Sequence, residues 1–310
     1  MKRFLGFLAI MMTVVPLGAR ADSEFDTAVR HVIENCVNIG REFDEMKKMA
    51  GINTAVTAVG TAAGVGAAVA GFTKESVDKK IAELEDQICN AGGCDADTVA
   101  SMSDEDFFKN VLDPMAQIAE LQMQELTDKS KSLGNWRTGL LAGNTATNVA
   151  GAVIAGKNRT DKSTREIIDA CVAAVADLRL ATAQARLDGV DAEQIAYAEG
   201  VIDGCGGWQY VDLDKIDRRA TGAMWSSIAG GTVGAAGVVT SAVANSNKVR
   251  DNDAPDGKTR EQNLNTASNV LAIGASAASA TATVFNGTQI AAIKRAIETA
   301  TECEAALDLE

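Results

Sequence analysis

The chain has 310 residues and a formal net charge of −13 at pH 7, with 46% hydrophobic and only 4% aromatic residues. Such an acidic balance repels phosphate backbones, so we expect no nucleic-acid partner. Three prolines, few aromatics and abundant Ala, Leu, Glu and Lys on helical spacing argue against an all-β sandwich and favour an all-α fold.

The first residues have the pattern of a secretory signal peptide over 1–21. A basic start precedes the apolar run 4–17, and Ala19-Arg20-Ala21 forms a small-x-small cleavage site. A transmembrane anchor is the alternative, but the apolar run is short and contains Pro16. We therefore expect an exported protein, periplasmic or secreted, from a cell with a Gram-negative-type envelope.

The rest of the chain, 22–310, is predicted to be a single elongated α-helical region built from three units, about 22–100, 101–207 and 208–310. Each unit contains a Gly that opens a charge-free, small-residue stretch, and a Thr-Lys/Arg-Glu tripeptide that opens a charged helix. The stretches begin at Gly51, Gly139 and Gly222, and the tripeptides at Thr73, Thr164 and Thr259. A fourth small-residue stretch covers 262–293. Helices of roughly 50 to 70 Å follow from a rise of 1.5 Å per residue.

Capping residues predict where several helices begin. Apolar spacing from Asp22 allows a first helix that continues directly into the first small-residue stretch. The charged segment from residue 74 predicts an amphipathic helix. Ser163 with Glu166 forms a capping box for the first arm of a helical hairpin. Its turn covers 188–191, and Asp191 caps the second arm.

Six Cys residues in an exported chain predict disulfides. Cys171 and Cys205 lie at the open end of the predicted hairpin, nearly equidistant from its turn. Antiparallel arms would bring both within disulfide distance, so geometry favours this pair.

The other cysteines have a less direct assignment. Cys89 and Cys94 bracket a short Gly-containing loop and can close it, which leaves Cys36 to pair with Cys303 and pin the first helix to the last. A zinc site is the alternative use of these thiols. No CxxC spacing occurs and His31 is the only histidine, so we predict no metal.

Small residues recur every four positions within the charge-free stretches and predict one flat stripe on each helix. Such a stripe lets a second helix approach closer than the usual 8 to 10 Å. A bulky side chain in it, as in Gly143→Leu, is expected to cost on the order of 1 to 3 kcal/mol through overpacking. The predicted helix-packing stripe comprises Gly60, Gly64, Gly139, Gly143, Gly151, Gly230, Gly234 and Gly274.

Small-xxx-small faces occur both in closely packed soluble helices and in transmembrane helices that associate. The stretches are long enough to span a bilayer. Asn144, Asn148 and Ser227, however, supply none of the transfer free energy that Leu or Ile would give. The sequence therefore favours a disulfide-stabilised bundle of long antiparallel helices in water. Insertion and oligomerisation of the small-residue hairpins, as in a pore-forming protein, is the alternative.

Residues that carry catalysis or hold cofactors are scarce. The single histidine, His31, lies on a predicted amphipathic helix, where a surface or partly buried structural role is favoured over membership of a Ser-His-Asp triad. The Gly-rich segment 230–234 lacks the Lys-Ser/Thr of a phosphate loop. The acidic segment 251–257 departs from a calcium loop because Pro255 stands at a ligand position. We predict no catalytic, cofactor or metal site. The expected role is that of a non-enzymatic scaffold or protein-interaction protein of the bacterial envelope, with a protein partner or self-association.

Overall fold

The computed structural model describes residues 17–37, 39–88, 113–246, 249 and 255–307, and these ranges are helical apart from short connections, with no strand. They contain seven α-helices: α1 (Leu17–Cys36), α2 (Ile39–Ile88), α3 (Asp113–Lys157), α4 (Lys162–Asp188), α5 (Ala192–Cys205), α6 (Leu213–Ala244) and α7 (Pro255–Leu307). A 3-10 helix, Gly206–Tyr210, follows α5. The prediction of an all-α fold is confirmed.

Four of the helices, α2, α3, α6 and α7, are long and pack together. Their lengths are 50, 45, 32 and 53 residues. The charged segment expected to form its own helix from residue 74 is instead the continuation of α2. A turn at Val37 ends α1, so this helix does not continue directly into the first small-residue stretch. Asn286 and Gly287 lie within α7 and do not end it.

Side-chain caps fix the ends of α4 and α5. The carboxylate of Asp161 accepts a hydrogen bond from the backbone N–H of Thr164 at 2.6 Å, so Asp161 is the N-cap of α4. The predicted cap at Ser163 is wrong, because this residue already lies within the helix. Gly189 ends α4 in the left-handed conformation that glycine adopts without strain, with φ 77°. Asp191 caps α5, as predicted.

Contacts between Cα atoms divide the chain into two compact units. Unit 1 comprises Met1–Lys48, Thr160–Asp217 and Ile290–Glu310, and unit 2 comprises Met49–Arg159 and Arg218–Gln289. Neither is continuous in sequence, and α2, α6 and α7 each contribute to both. The units therefore do not coincide with the three consecutive units of the sequence pattern.

Unit 1 has an apolar core. Its large buried side chains include Phe25, Val32, Phe43, Ile168, Leu178, Val201, Trp208, Ile216 and Ile293. The rings of Phe43 and Trp208 stack with their centroids 5.8 Å apart. At the start of α4, Arg165 donates to Asp217 at 2.6 Å and pairs with Asp214 at 2.9 Å, and these hydrogen bonds raise the pKa of its guanidinium. The predicted α4–α5 hairpin belongs to this unit.

Two disulfides connect the helices of unit 1, and their pairing differs from the prediction. Cys36 on α1 is bonded to Cys171 on α4, and Cys205 at the end of α5 is bonded to Cys303 on α7. The predicted pairs Cys171–Cys205 and Cys36–Cys303 are therefore wrong. The hairpin forms, but α1 packs along α4, so Cys171 meets a third helix rather than the other arm. Outside the described residues lie Cys89 and Cys94.

Unit 2 contains the charge-free parts of α2, α3, α6 and α7, and neighbouring helices run antiparallel. Between α2 and α3, Gly60 lies against Thr147, whereas Gly64, further along α2, lies against Asn144, earlier on α3. In the other three helix pairs, too, a contact later on one helix meets a residue earlier on its neighbour. The contacts are Asn53–Asn286 and Gly64–Ser276 between α2 and α7, and Gly230–Asn148 and Gly237–Leu141 between α6 and α3. Between α6 and α7 they are Gly222–Phe285 and Val233–Gly274.

Candidate functional site: a polar interior within an apolar exterior

The buried positions of unit 2 alternate between spacings of three and four residues. In α3 they are Ser130, Gly134, Arg137, Leu141, Asn144, Asn148, Gly151 and Ala155. In α6 they include Ala220, Ala223, Ser227, Gly230, Gly234, Gly237, Ser241 and Ala244, and in α7 Asn265, Ser268, Ala272, Ala275, Ser279, Ala282, Asn286 and Gln289. This is the heptad spacing of a left-handed coiled coil. Small and polar residues occupy positions that Leu and Ile fill in a coiled coil in water.

Asparagine and serine side chains hydrogen-bond across this interior. The Asn148 amide donates to Ser279 Oγ at 2.8 Å, and Ser279 Oγ donates to Asn148 Oδ1 at 3.1 Å, linking α3 to α7. Asn53 Nδ2 donates to Asn286 Oδ1 at 2.9 Å, linking α2 to α7. All four residues are buried. Glycine on the facing helix makes room for these amides, since a Cβ at Gly230 would lie 2.8 Å from Asn148 Oδ1.

Arg137 lies in the same interior and is completely buried. Its Nε donates to Ser241 Oγ at 2.9 Å on α6, and its Nη2 donates to Asn265 Oδ1 at 2.8 Å on α7. Nη1 lies 3.4 Å from Asn269 Oδ1. The guanidinium therefore joins three helices through neutral acceptors. A buried cation in this arrangement is held in place by hydrogen bonds rather than by a direct ion pair.

A charge cluster lies at the end of the charge-free stretches. Lys74, 2% exposed, contacts Asp78 at 2.6 Å and Glu261 at 3.0 Å. Ser130 Oγ donates to the other oxygen of Asp78 at 2.6 Å. The negative charges of Asp78 and Glu261 therefore offset the positive charges of the two buried cations, Lys74 and Arg137. The formal charges of these four side chains sum to zero.

The exterior of unit 2 carries many large apolar side chains along its charge-free segments, whereas charged side chains such as Lys79, Lys80 and Asp128 are exposed outside those segments. Exposed large apolar side chains occur on all four helices: Ile52, Val59, Val65, Val69, Phe72, Trp136, Val149, Val153, Trp225, Ile228, Val239, Val243, Val270, Ile273 and Val284. The segments 49–73, 132–156, 220–246 and 262–289 contain one charged residue, the buried Arg137. In its charge-free part unit 2 thus differs from unit 1. Asn, Ser and Arg137 side chains are buried there beside a small apolar cluster of Ala67, Ala68, Leu141 and Ala272, and many large apolar side chains are exposed. We call this distribution the reversed polarity of unit 2.

The predicted stripe glycines divide into two groups. Gly60, Gly64, Gly151, Gly230 and Gly234 lie so close to a facing helix that a Cβ would come within 3.2 Å of a side-chain atom, and Gly274 lies against Val233. Gly139 and Gly143 face open space, where a Cβ would meet nothing within 4 Å. Gly139 instead lines an open surface depression with Ser132, Asn135, Trp136 and Leu140. A Cβ at Gly143 thus has space within the chain, and overpacking by the larger side chain of Gly143→Leu stays a prediction.

Helix geometry explains why a spacing of four, which placed several glycines correctly, left the interior at Gly139 and Gly143. Four residues turn an α-helix by about 40° more than one full turn, so two steps from Gly151 to Gly143 move the position by about 80°. The alternation of three and four stays on one face. The signal in the sequence was the heptad recurrence of Asn144, Asn148 and Gly151. By composition alone, these Asn residues only make transfer of the helix into a bilayer less favourable.

Among the described residues, potential metal ligands converge at the two disulfides. The Sγ atoms of Cys36, Cys205 and Cys303 lie within 4.8 Å of one another. All three sulfurs are already bonded in disulfides, so they offer no thiolate to a metal ion. His31, the only histidine, is exposed on α1.

Three stretches of the described helices are long and apolar enough to cross a membrane, within Glu24–Glu83, Ala192–Ala244 and Arg260–Leu307. No family model, curated protein or solved structure matches the chain. Among the described features, the reversed polarity of unit 2 is the one that bears most directly on function.

Proposed function

We propose that the protein is a non-enzymatic, exported helical protein of the cell envelope and that its unit 2 inserts into a lipid bilayer. The observation that carries this proposal is the reversed polarity of that unit. In water, large exposed apolar surfaces are unfavourable, and burying amides and a guanidinium yields little net stabilisation. In lipid, the same distribution is favourable, because polar groups must be satisfied internally and apolar groups face the acyl chains.

The lengths and ends of the four charge-free stretches support insertion. Each exceeds the ~20 residues that an α-helix needs to cross a hydrocarbon core of ~30 Å. The stretches of α2, α6 and α7 lie within the three helices that are also apolar enough to cross a membrane, and that of α3 does not. Each also has basic residues at one end: Lys47 and Lys48 before residue 49, Lys157 and Arg159 after residue 156, Arg218 and Arg219 before residue 220, and Lys294 and Arg295 after residue 293. Long basic side chains at such positions can extend toward the headgroups.

The small residues of the interior support a tight assembly of these helices. With little hydrophobic driving force between helices in lipid, association depends on close packing and hydrogen bonds between helices. Gly64, Gly230 and Gly234 permit close packing. Asn148 and Ser279 supply hydrogen bonds between helices. The outward pair Gly139 and Gly143 has the small-xxx-small spacing through which a second copy would pack in the bilayer.

A water-soluble scaffold is the second candidate, and polar residues on the outer face of unit 2 favour it. Asn135, Thr232, Thr266 and Thr281 are exposed there among the valines. In both candidates unit 1, with its apolar core and disulfides, would lie in an oxidising aqueous compartment and contact protein partners. The candidates differ only in the surroundings of unit 2.

Flotation with liposomes after reconstitution separates the two candidates. The wild-type protein should float with the vesicles and resist extraction at alkaline pH. The double variant Val59→Lys/Val149→Lys should lose stable insertion, because each lysine near the middle of a span costs roughly 2.5 to 3.5 kcal/mol. Leu180→Lys, at a position 73% exposed in unit 1, is the matched control and should float normally. A wild-type protein that stays folded and monodisperse in buffer and does not float would favour the soluble scaffold.

A further inference from the structure

The two disulfides of unit 1 adjoin each other. Cys36 belongs to one and Cys205 and Cys303 form the other, yet all three sulfurs lie within 4.8 Å of one another. The fourth sulfur, that of Cys171, is not a member of this group. All four cysteines are buried, with exposures of 2% or less.

This arrangement matches the requirement for thiol–disulfide exchange. Exchange proceeds when a thiolate attacks one sulfur of a disulfide and displaces the other. The sulfur of Cys36 already lies beside both sulfurs of the second disulfide. Only its bond to Cys171 prevents it from acting as a nucleophile.

We propose that the two disulfides form an exchange pair that can change which helices of unit 1 are covalently joined. A small thiolate attacks Cys171 Sγ, forms a mixed disulfide there and releases Cys36 as a thiolate. Cys36 then attacks Cys303 Sγ, which forms the Cys36–Cys303 bond and releases Cys205 as a thiolate. Cys205 finally attacks Cys171 Sγ and expels the small thiolate. Two disulfides are present before and after, so no net oxidant or reductant is consumed.

Exchange would alter the connections of α1. In the described state α1 is joined to α4, and α5 to α7. After exchange α1 would be joined to α7, and the two arms of the α4–α5 hairpin to each other. Because the four cysteines are buried, the first attack requires local opening of unit 1. The bonds would therefore rearrange only when that unit loosens.

The variant Cys171→Ser isolates the central step, because it leaves Cys36 as a thiol beside the Cys205–Cys303 bond. We expect it to yield a mixture of Cys205–Cys303, Cys36–Cys205 and Cys36–Cys303. Mass spectrometry of peptides from protein incubated at pH 8 and quenched in acid would identify the three bonds. The rate of their appearance should rise about tenfold per pH unit below the thiol pKa, because the thiolate is the attacking species.

The matched control is Cys36→Ser, which removes the same disulfide but leaves the free thiol on Cys171. It should retain Cys205–Cys303 as its predominant bond under the same conditions. Retention of Cys205–Cys303 alone in Cys171→Ser would overturn the proposal, and so would equal scrambling in both variants with helical circular dichroism retained. Should either variant fail to fold, wild-type protein with a tenth of an equivalent of reduced glutathione provides the test. Appearance of Cys36–Cys303 supports exchange, and its absence contradicts it.

Discussion

At the scale of single residues, Arg137 shows how unit 2 tolerates a buried charge. Its three donor nitrogens face Ser241, Asn265 and Asn269 on two other helices. Removing the guanidinium would leave the amide oxygens of Asn265 and Asn269 buried without this donor, whereas Ser241 keeps its hydrogen bond with Thr138. A planar guanidinium presents its donors on three separate nitrogens in a fixed geometry, whereas lysine presents all of its donors on one nitrogen.

Arg137→Met should therefore lower the free energy of unfolding by roughly 2 to 4 kcal/mol, since each polar group left unpaired costs about 1 to 3 kcal/mol. Lys131→Met removes the same charge from an exposed position of the same helix and should change stability little. Thermal unfolding followed by circular dichroism, in detergent or lipid, measures both variants. Equal stability of the two would show that the interior network contributes nothing.

The glycines of α2 and α3 provide a second residue-scale prediction, in which the same substitution has opposite effects. A Cβ at Gly64 would lie 2.8 Å from Asn144 Nδ2 and 3.0 Å from the Ser276 backbone, so Gly64→Ala should destabilise the protein. Gly143 has open space, and Gly143→Ala should stabilise it by up to about 1 kcal/mol through helix propensity. The midpoints of thermal unfolding should shift in opposite directions. A shift of the same sign in both variants would mean that the two positions do not differ in packing.

The sequence could reveal which residues are small, but not which of them face inward. From the sequence alone, Asn148 and Gly143 could both lie on an exposed polar face. Their different burial depends on how α3 is aligned with its neighbouring helices. A pattern with a spacing of four and a heptad pattern both include Gly151 and Ala155. The residues that the two patterns select differ only over several helical turns. Hydrogen bonds from Asn53, Asn148 and Arg137 to other helices identify the interior, and these contacts depend on how the helices are aligned.

At the scale of helices, the start of α4 depends on one side chain. The hydrogen bond from the Thr164 N–H stabilises the charged carboxylate of Asp161 and lowers its pKa. A folded-state pKa below the unfolded value contributes stability above the ordinary pKa of about 3.9, and this contribution disappears as the pH falls through the folded pKa.

Asp161→Ala should lower the midpoint of thermal unfolding at pH 7, whereas Ser163→Ala, which alters the originally predicted cap, should not. Asp161→Asn keeps a capping oxygen without a titrating carboxylate. It should lose less stability than the wild-type protein between pH 5 and pH 3. Circular dichroism melts at these three pH values test both statements, and identical profiles for all variants would contradict the cap assignment.

The α4–α5 hairpin was predictable because its local signals are strong. Gly189 after α4 and Asp191 before α5 each act on the nearest turn of backbone. The disulfides were not predictable in the same way. The pairing of Cys171 depends on whether α1 or the other hairpin arm packs beside it, and that is decided by contacts between residues far apart in the sequence.

At the scale of the whole molecule, the two units distribute polar and apolar side chains differently. Unit 1 buries Phe43, Leu178 and Trp208 and suits water, whereas unit 2 buries Asn144 and Arg137 and exposes valines. Whole-chain composition averages over this difference. The distribution of the same residues between inside and outside carries the information that composition lacks.

The three tryptophans report on this division directly. Trp136 and Trp225 are 65% and 60% exposed in unit 2, whereas Trp208 is 1% exposed in unit 1. Variants that retain one tryptophan each, with the other two replaced by Phe, should respond differently to vesicles containing brominated lipids. If unit 2 inserts, fluorescence from Trp136 and from Trp225 should be quenched by the bromines and shifted to shorter wavelength relative to protein in buffer. Trp208 should show neither change, because its ring is already packed against Phe43. Quenching of all three would indicate unfolding onto the membrane, and quenching of none would place unit 2 in water.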